Sequence, residues 1–319
     1  MGSLISEKYA AWQAECEARF QQLKKNEEEL NRIFFRSLQD ELTPDVADKD
    51  VTVHRVFDSK DDVPESMKGS NYVRTMRDEI VSLISYAVGC MFGRYSLDVE
   101  GLAYAGGEWD GSKYKTFIPD PDNCIPVTDE EYFRDDIVVR FVDFIRTVYG
   151  ADTLEENLTF IADALGTRGN TSRERIRNYF LNDFIKDHIK MYQKRPIYWM
   201  FDSGKQNGFR ALVYMHRWNA DTTGNVRVEY LHKLQRIYEN EIRQAQDVAE
   251  TGSGREVSAA QKRIEKLTKQ LKETHDFDEK IAHLALSRID IDLDDGVKVN
   301  YEKVQTGDDG KKIEVLTKI

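Results

Sequence analysis

Apolar residues recur at helical spacing over much of this 319-residue chain. One stripe runs through residues 7–39 and a second, mostly apolar, through residues 71–95. Each places an apolar side chain every three or four positions, which is the period of one helix face. We therefore expect two helices here, the first ended by Pro44. The acidic segment between them, residues 45–70, contains Ser and Pro and is typical of a linker or mobile loop.

Three further helices are predicted by capping boxes, in which a threonine is followed three residues later by a glutamate. The boxes are Thr128–Glu131, Thr153–Glu156 and Thr171–Glu174. Each precedes an apolar stripe, and the first two stripes end at a glycine, the residue favoured after a helix. The third stripe continues through Ile189, which predicts a single helix from the third box to that point.

The second half of the chain contains the patterns of two hairpins. Aromatic-rich segments at 196–201 and 209–218 flank a loop bracketed by glycines, which predicts a β-hairpin. Beyond Gly224, two heptad-like stripes are joined by Thr251-Gly-Ser-Gly254 and predict an antiparallel helical hairpin. The tail, residues 289–319, alternates in polarity and is expected to add strands.

The predicted fold class is mainly α with a small β component (α+β). We expect a helical connector and linker at residues 1–70 and a mixed α+β central body with the β-hairpin at 71–222. The long antiparallel helical hairpin and a short β tail would complete the chain at 223–319. No internal repeat is visible in the sequence.

Composition excludes several classes of protein. Apolar residues make up 40% of the chain, which is enough for a core and excludes wholesale disorder. Three cysteines fit a reducing compartment better than a disulfide scaffold. The sequence contains neither a signal-peptide pattern nor an apolar run long enough to cross a bilayer. We therefore expect a cytoplasmic protein with no membrane partner.

Charge is unevenly distributed, although the formal net charge is -11. Residues 98–164 hold 16 Asp/Glu against 5 Lys/Arg. Residues 168–233, here called the basic block, hold 13 Lys/Arg against 6 Asp/Glu. In an acidic protein, this basic block is the candidate footprint for the phosphate backbone of double-stranded DNA.

The candidate DNA-binding side chains all belong to the basic block. They are Arg173, Arg175, Lys186, Lys190, Lys194, Arg195, Lys205, Arg210 and Arg217. On one continuous helix, Arg175, Lys186 and Lys190 would fall within about 60° of one another. The alternative is that this basic face binds the acidic segment of the same chain.

Aromatic residues of the β-hairpin are candidates for stacking on bases. They are Tyr198, Trp199, Phe201, Tyr214 and Trp218. Aromatic residues at strand spacing more often belong to a hydrophobic core, so both roles stay open at this point.

The chemistry of an independent enzyme is missing from the sequence. None of the six prolines are adjacent, so the Asn-Pro-Pro-Tyr loop of an amino-methyltransferase is absent. No Gly-rich loop joins a strand to a helix, and the histidines lack metal-ligand spacing. Asp278-Glu-Lys280 and Asp309-Gly-Lys311 match only the short half of a nuclease motif. We expect no catalytic residue, metal or cofactor site in this chain.

Several stretches, in order between about residues 7 and 305, form a recognisable pattern: Leu30–Phe35, Leu38–Asp45, Ser85–Leu97, Gly101–Gly107, Phe117–Asp120, Asp187–His188, Lys194–Trp199 and Ile291–Tyr301. Together they resemble PglX, the family of adenine-specific DNA methyltransferases of BREX phage-defence systems. The stretch Val56–Met76 departs from the family pattern.

The resemblance implies a role in methylating the exocyclic N6 amine of adenine with S-adenosylmethionine. It also implies that the catalytic loop and the S-adenosylmethionine site lie outside this chain, which would be a C-terminal, non-catalytic DNA-recognition or scaffold module. Its partners would be double-stranded DNA and the methyltransferase domain or other BREX subunits. The alternative is a protein-interaction module that docks onto other subunits of the defence complex without touching DNA.

Overall fold

The computed structural model describes residues 2–38 and 43–319, with side chains omitted at 36–38. Residues 39–42, which are half of the Leu38–Asp45 stretch and lead up to the predicted helix end before Pro44, lie outside the described residues. The protein is 57% helical with 7% strand, which confirms the mainly α class with a small β component. Two compact units are present, one built from residues 1–85 and 145–175 and the other from 86–144 and 176–319.

The helices and strands follow one another in an irregular order. In chain order they are α1 (Ile5–Leu38), β1 (Arg55–Phe57), β2 (Val73–Thr75), α2 (Met76–Met91), β3 (Ile125–Pro126), α3 (Ile137–Tyr149), α4 (Leu154–Leu165), α5 (Ser172–Asn182), α6 (Phe184–Met191), β4 (Tyr198–Asp202), β5 (Arg210–Tyr214), α7 (Thr222–Asn225), a π-helical turn (Val226–Leu231), α8 (His232–Thr251), α9 (Arg255–Ser287) and α10 (Val297–Lys303).

The first unit is organised around one face of α1. Tyr9, Cys16 and Phe20 are buried along that face, at the spacing of a helical stripe. Its N-terminal end is tied to α4, because the Ile5 N–H donates to the side chain of Asn157 at 2.7 Å. The predicted N-terminal helix is therefore confirmed.

Residues 45–70 contain more structure than their composition indicates. Val51 and Met67 are fully buried and pack with Phe20 of α1. β1 pairs in parallel with β2, in the register Val56 to Arg74. The apolar residues of this segment are few and irregularly spaced, so no periodic pattern in the sequence predicts the strand or the buried positions.

The second unit is centred on a three-stranded antiparallel sheet with the strand order β3-β5-β4. β4 and β5 pair from Tyr198 with Tyr214 to Asp202 with Arg210, which confirms the predicted β-hairpin. All five aromatic candidates for base stacking are buried, Trp218 being the most exposed at 7%. They form the core of this unit, as the second of the two alternatives predicted.

The three capping boxes have three different outcomes. At the first box the predicted helix is present as α3, but its predicted start was wrong: α3 begins at Ile137, and the Thr128 hydroxyl donates to the Asp136 carboxylate instead. Asp136 caps α3, since its Oδ1 accepts from the Val138 N–H at 2.9 Å. At the second box, Thr153 precedes α4 but its hydroxyl donates to the Tyr149 carbonyl.

The third box is the one whose threonine acts as a cap. The Thr171 hydroxyl accepts from the Glu174 N–H at 3.2 Å, whereas the Glu174 carboxylate accepts from Asn170, one residue before the cap. α5 then ends at Asn182, so the prediction of one helix through Ile189 was wrong. Asn182 lies at the break, and its side chain donates to the Asn178 carbonyl at 2.9 Å, a local bond of the kind that competes with a continuous helix.

The predicted antiparallel helical hairpin is confirmed in α8 and α9. Leu234 and Tyr238 of α8 are fully buried, as are Leu267 and Ile281 of α9. The hairpin is fixed to the rest of its unit by the Tyr238 hydroxyl, which donates to the Gly208 carbonyl at 2.9 Å.

The tail combines a short helix with a strand-like segment. α10 was not predicted, since its seven residues are too few for a helical period to stand out. Beyond it, Leu316 bridges to Phe201 at the outer edge of β4. The Thr317 N–H donates to Met200 at 2.9 Å, so the tail extends the sheet through one bridge.

Candidate nucleic-acid interface

Two of the candidate cations lie in the first unit and are bound by carboxylates. The Arg173 guanidinium makes two hydrogen bonds with Glu155, at 2.6 and 2.8 Å. Arg175 donates to Asp163 at 2.6 Å and to the Gly169 carbonyl at 3.2 Å. Both acids belong to the acidic segment 98–164, so for these two arginines the intramolecular alternative holds.

Two further candidates are fixed by backbone carbonyls of the second unit. Arg210 donates to the Leu181 carbonyl at 2.5 Å and forms an ion pair with Asp202 at 3.1 Å. Arg217 donates to the carbonyls of Asp120 and Pro121 at 2.7 and 3.0 Å. These donors join distant segments of the chain, and a phosphate would have to compete with those carbonyls.

Arg217 also has an aromatic neighbour. Its guanidinium lies 4.4 Å from the ring centroid of Trp109, in the arrangement of a cation–π contact. Burial lowers the pKa of Arg217 from its ordinary value. The side chain is therefore part of the packing around the 109–121 loop.

The remaining five candidates are exposed: Lys186, Lys190, Lys194, Arg195 and Lys205. Lys186 lies 3.7 Å from Asp183, a loose contact between solvated groups. Among the described residues, the other four form no ion pair. Four of the five follow one another closely, and we call Lys186, Lys190, Lys194 and Arg195 the cationic edge.

The buried face of α6 determines which way its lysines point. Phe184, Ile185 and His188 are buried, so Lys186 and Lys190, four residues apart, lie on the solvent side. The break at Asp183 separates them from Arg175, which is on α5. The expectation that all three share one helix face was therefore wrong.

His188 anchors α6 to the start of β4. Its Nε2 accepts hydrogen bonds from the N–H groups of Ile197 and Tyr198, both at 3.1 Å. Burial, with a smaller contribution from the charge of Arg94, lowers the pKa of His188 to about 3. The ring is thus neutral at physiological pH, as an acceptor of two N–H groups must be.

The turn after α6 has an unusual backbone. Gln193 and Lys194 both adopt left-handed conformations, with φ of 50° and 61°. The Lys194 N–H donates to Ile189 at 2.8 Å, which closes the helix end. Consecutive non-glycine residues in this region are uncommon and cost free energy, so the direction of Lys194 is imposed by the fold.

The two nuclease-like triplets are engaged within the protein. Asp278 accepts from Arg227 and lies 2.9 Å from His232. Asp309 pairs with Lys311 at 3.0 Å. Across residues 2–38 and 43–319, no group of three His, Cys, Asp or Glu side chains is arranged to hold a metal ion.

The glycine-bracketed loop of the β-hairpin connects two strands. This loop, residues 203–208, follows strand β4 and returns into β5 rather than entering a helix. Its amides at Gln206 and Gly208 already donate to Glu273, at 2.8 and 3.0 Å. These two amides are therefore already paired within the protein.

Sequence reasoning missed three lysines that share a cavity with Lys194. They are Lys298, Lys312 and Lys318 of the tail. They lie more than one hundred residues further along the chain, and no periodic pattern or motif relates them to Lys194. In the part of the chain that the structure describes, no helix is long and apolar enough to cross a membrane.

Comparison with known proteins identifies relatives that match most of the chain. No protein-family model matches. The chain is 49% identical over 303 residues to the adenine-specific methyltransferase PglX of Lacticaseibacillus casei (strain Zhang), covering 93% of this chain and 24% of that protein. It is 44% identical over 246 residues to the adenine-specific methyltransferase BrxX of Escherichia coli O9:H4 (strain HS), covering 72% and 20%.

The chain thus spans about a quarter and a fifth of the lengths of these two relatives. The resemblance predicted from the sequence is confirmed: the chain is homologous to one region of the PglX-type adenine-specific methyltransferases.

Proposed function

We propose that this region of a PglX-type adenine-specific methyltransferase is a C-terminal, non-catalytic module that holds double-stranded DNA in BREX phage defence. N6-adenine methylation with S-adenosylmethionine would be carried out by other parts of the full-length protein. The proposal is supported by the homology and by the cationic edge. Its protein partners would be the methyltransferase domain and other BREX subunits.

The observation that carries the proposal is the solvent-facing charge of the cationic edge. Lys190, Lys194 and Arg195 are exposed and form no ion pair with any described residue, although the chain has a net charge of -11. An acidic protein that keeps such a run unneutralised has a local attraction for polyanions.

The support beneath the edge is well ordered. His188 fixes α6 to β4 through two hydrogen bonds, and Phe184 packs against Phe180 with ring centroids 5.3 Å apart. Phosphate contacts made from a rigid helix and its closing turn determine the position of a duplex without reading its sequence.

Salt dependence provides the test. Neutralising a few phosphates releases condensed counterions, so a four-cation footprint predicts a log–log slope of about -3 to -4 against salt concentration. Binding of a fluorescent duplex would be followed by anisotropy from low to near-physiological salt. Charge reversal by Lys190→Glu or Arg195→Glu should weaken binding and reduce the slope by about 1 to 2 per residue.

The matched control is Lys262→Glu, which reverses one exposed lysine on α9. It changes the net charge equally but leaves the cationic edge intact, so its effect on affinity should be much smaller. Equal losses in the control and the edge variants would mean that only net charge matters, which contradicts a defined footprint. No binding at low salt would favour the alternative of a protein-docking module.

A further inference from the structure

The tail forms one side of a cavity whose other side carries Lys194. The cavity has a volume of about 400 Å³, which is in the range of small-molecule sites. We call it the tail pocket. All its lining residues belong to the second unit.

The floor of the tail pocket is tightly hydrogen-bonded. The Gln305 side chain is 3% exposed, and its Oε1 accepts from the N–H groups of Val315 and Leu316 at 3.2 and 3.0 Å. The Tyr301 hydroxyl donates to the Thr317 carbonyl, and its ring packs edge-on against Trp199. These contacts fix the backbone from which the charged side chains of the tail pocket extend.

Charge in the tail pocket is predominantly positive. Four lysines line it, Lys194, Lys298, Lys312 and Lys318, against the side-chain carboxylates of Glu302 and Glu314. Each carboxylate has its own lysine, with Lys312 at 3.7 Å from Glu302 and Lys318 at 3.4 Å from Glu314. Lys194 and Lys298 form no ion pair with any described residue, which leaves two uncompensated ammonium groups.

The backbone at Lys194 gives an independent indication of function. Its left-handed conformation follows that of Gln193, and such strain in non-glycine residues clusters at binding sites. Here the consequence of the strained turn is that the stem of Lys194 reaches the pocket wall.

We propose that the tail pocket binds a phosphate ester, held by Lys194 and Lys298 and enclosed by the side chains of Leu316 and Tyr301. Ammonium groups bind phosphate as point charges, and the volume accommodates a phosphate together with the sugar that carries it. The ester comes either from a nucleic-acid backbone or from a free nucleotide. The proposal shares Lys194 with the cationic edge, but it does not rest on the proposed function, since Lys298 lies outside that edge and nucleotide binding is measured without duplex DNA.

The test is calorimetric titration of the full 319-residue chain with deoxyadenosine 5′-monophosphate, and with deoxyadenosine as the phosphate-free control. The nucleotide should bind and the nucleoside should not. Lys298→Glu should weaken nucleotide binding about tenfold or more, because it replaces an attractive charge with a repulsive one. Thermal denaturation of each variant verifies that the exposed substitution leaves the fold intact.

The matched control is Lys303→Glu, which reverses an exposed lysine of the same helix, α10, outside the tail pocket. At near-physiological salt it should weaken nucleotide binding much less than Lys298→Glu does, since the charge lies outside the tail pocket and salt screens it. No nucleotide binding by the wild type at low salt, or equal losses in the two variants, would overturn the proposal.

Duplex affinity of the same variants distinguishes the two sources of phosphate. A parallel loss of duplex and nucleotide affinity in Lys298→Glu assigns the tail pocket to the DNA backbone, whereas unchanged duplex affinity assigns it to a free nucleotide. Duplex binding without nucleotide binding would refute the tail pocket and leave the cationic edge standing. Nucleotide binding without duplex binding would support the tail pocket and refute the cationic edge as a DNA site.

Discussion

Helices α5 and α6 are neighbours in the chain and both carry several cations, but they use them differently. The arginines of α5 are bound by carboxylates: Arg173 by Glu155, Arg175 by Asp163 and Arg177 by Asp136. Among the described residues, the lysines of α6 form one ion pair, the loose one between Lys186 and Asp183.

The chemistry of the two side chains explains the difference. A guanidinium presents a rigid fork that can bind both oxygens of a carboxylate, and Arg177 does so at 2.8 and 2.9 Å. An ammonium on a flexible stem remains well hydrated at a surface. The net charge of a sequence segment therefore overstates its accessible charge, and most strongly where the cations are arginines.

The largest effect is expected from breaking the most buried of these ion pairs. Arg177→Met would leave Asp136, which is fully buried, without its counter-charge. We expect a loss of about 3–5 kcal/mol in the free energy of unfolding, measured by urea denaturation. Duplex affinity measured on the folded protein should be unchanged, because this guanidinium faces inward.

The double variant Arg177→Met/Asp136→Asn is the control. The amide oxygen that it introduces at position 136 can still accept from the Val138 N–H, while the isolated buried charge is removed. It should recover part of the stability lost in the single variant. A single variant within about 0.5 kcal/mol of the wild type would contradict the structural role assigned to Arg177.

A somewhat smaller effect is expected at the base of the cationic edge. His188→Leu leaves the N–H groups of Ile197 and Tyr198 without their acceptor, at an expected cost of about 2–4 kcal/mol. His188→Gln retains an acceptor and should lose less. Both would be compared with the wild type by chemical denaturation, and equal losses would show that packing, not hydrogen bonding, is responsible.

The pH dependence follows from the lowered pKa of His188. The folded protein keeps this ring neutral down to about pH 3, whereas the unfolded chain protonates it near pH 6.5. Neutral His188 therefore contributes its full stability above pH 6.5, and this contribution is lost as the pH falls from 6.5 toward 3. The stability difference between wild type and His188→Leu should shrink over the same interval, and a constant difference would contradict this.

What could be predicted from the sequence depends on how far apart the interacting residues are. The β-hairpin and the α8–α9 hairpin follow from local periodicity and a short turn, and both are confirmed. The partner of Arg177 lies 41 residues away, and its identity as Asp136 depends on tertiary packing. No spacing rule applied to the sequence indicates that Arg177 is buried in an ion pair whereas Lys190 is exposed.

Capping shows the same limit at shorter range. Thr128 has the spacing of a capping box, but its hydroxyl binds Asp136, which becomes the cap of α3 itself. The box is a local signal that the tertiary contact with Arg177 overrides. The tail pocket is even harder to predict from the sequence, because Lys194 and Lys298 come to line one cavity only through the path of α9 and the tail.

The smallest effect is expected where an α5 arginine is most exposed. Glu155→Gln removes the counter-charge of Arg173, whose side chain is 46% exposed and which lowers the pKa of Glu155 through its hydrogen bonds. Exposed pairs contribute little, so the free energy of unfolding should change by less than about 1 kcal/mol. Duplex affinity should rise by at most about threefold, with a salt slope steeper by no more than about 1, because a carboxylate that competes with phosphate for Arg173 has been neutralised.

Glu156→Gln, at the next residue of α4, is the matched control, since Glu156 is exposed and forms no ion pair with a described residue. Both variants change the net charge equally. A larger rise in duplex affinity for Glu155→Gln than for Glu156→Gln would show that intramolecular pairing is what keeps the α5 arginines from phosphate. Identical effects would mean that the contrast between α5 and α6 has no consequence for DNA, and only the cationic edge would remain to explain binding.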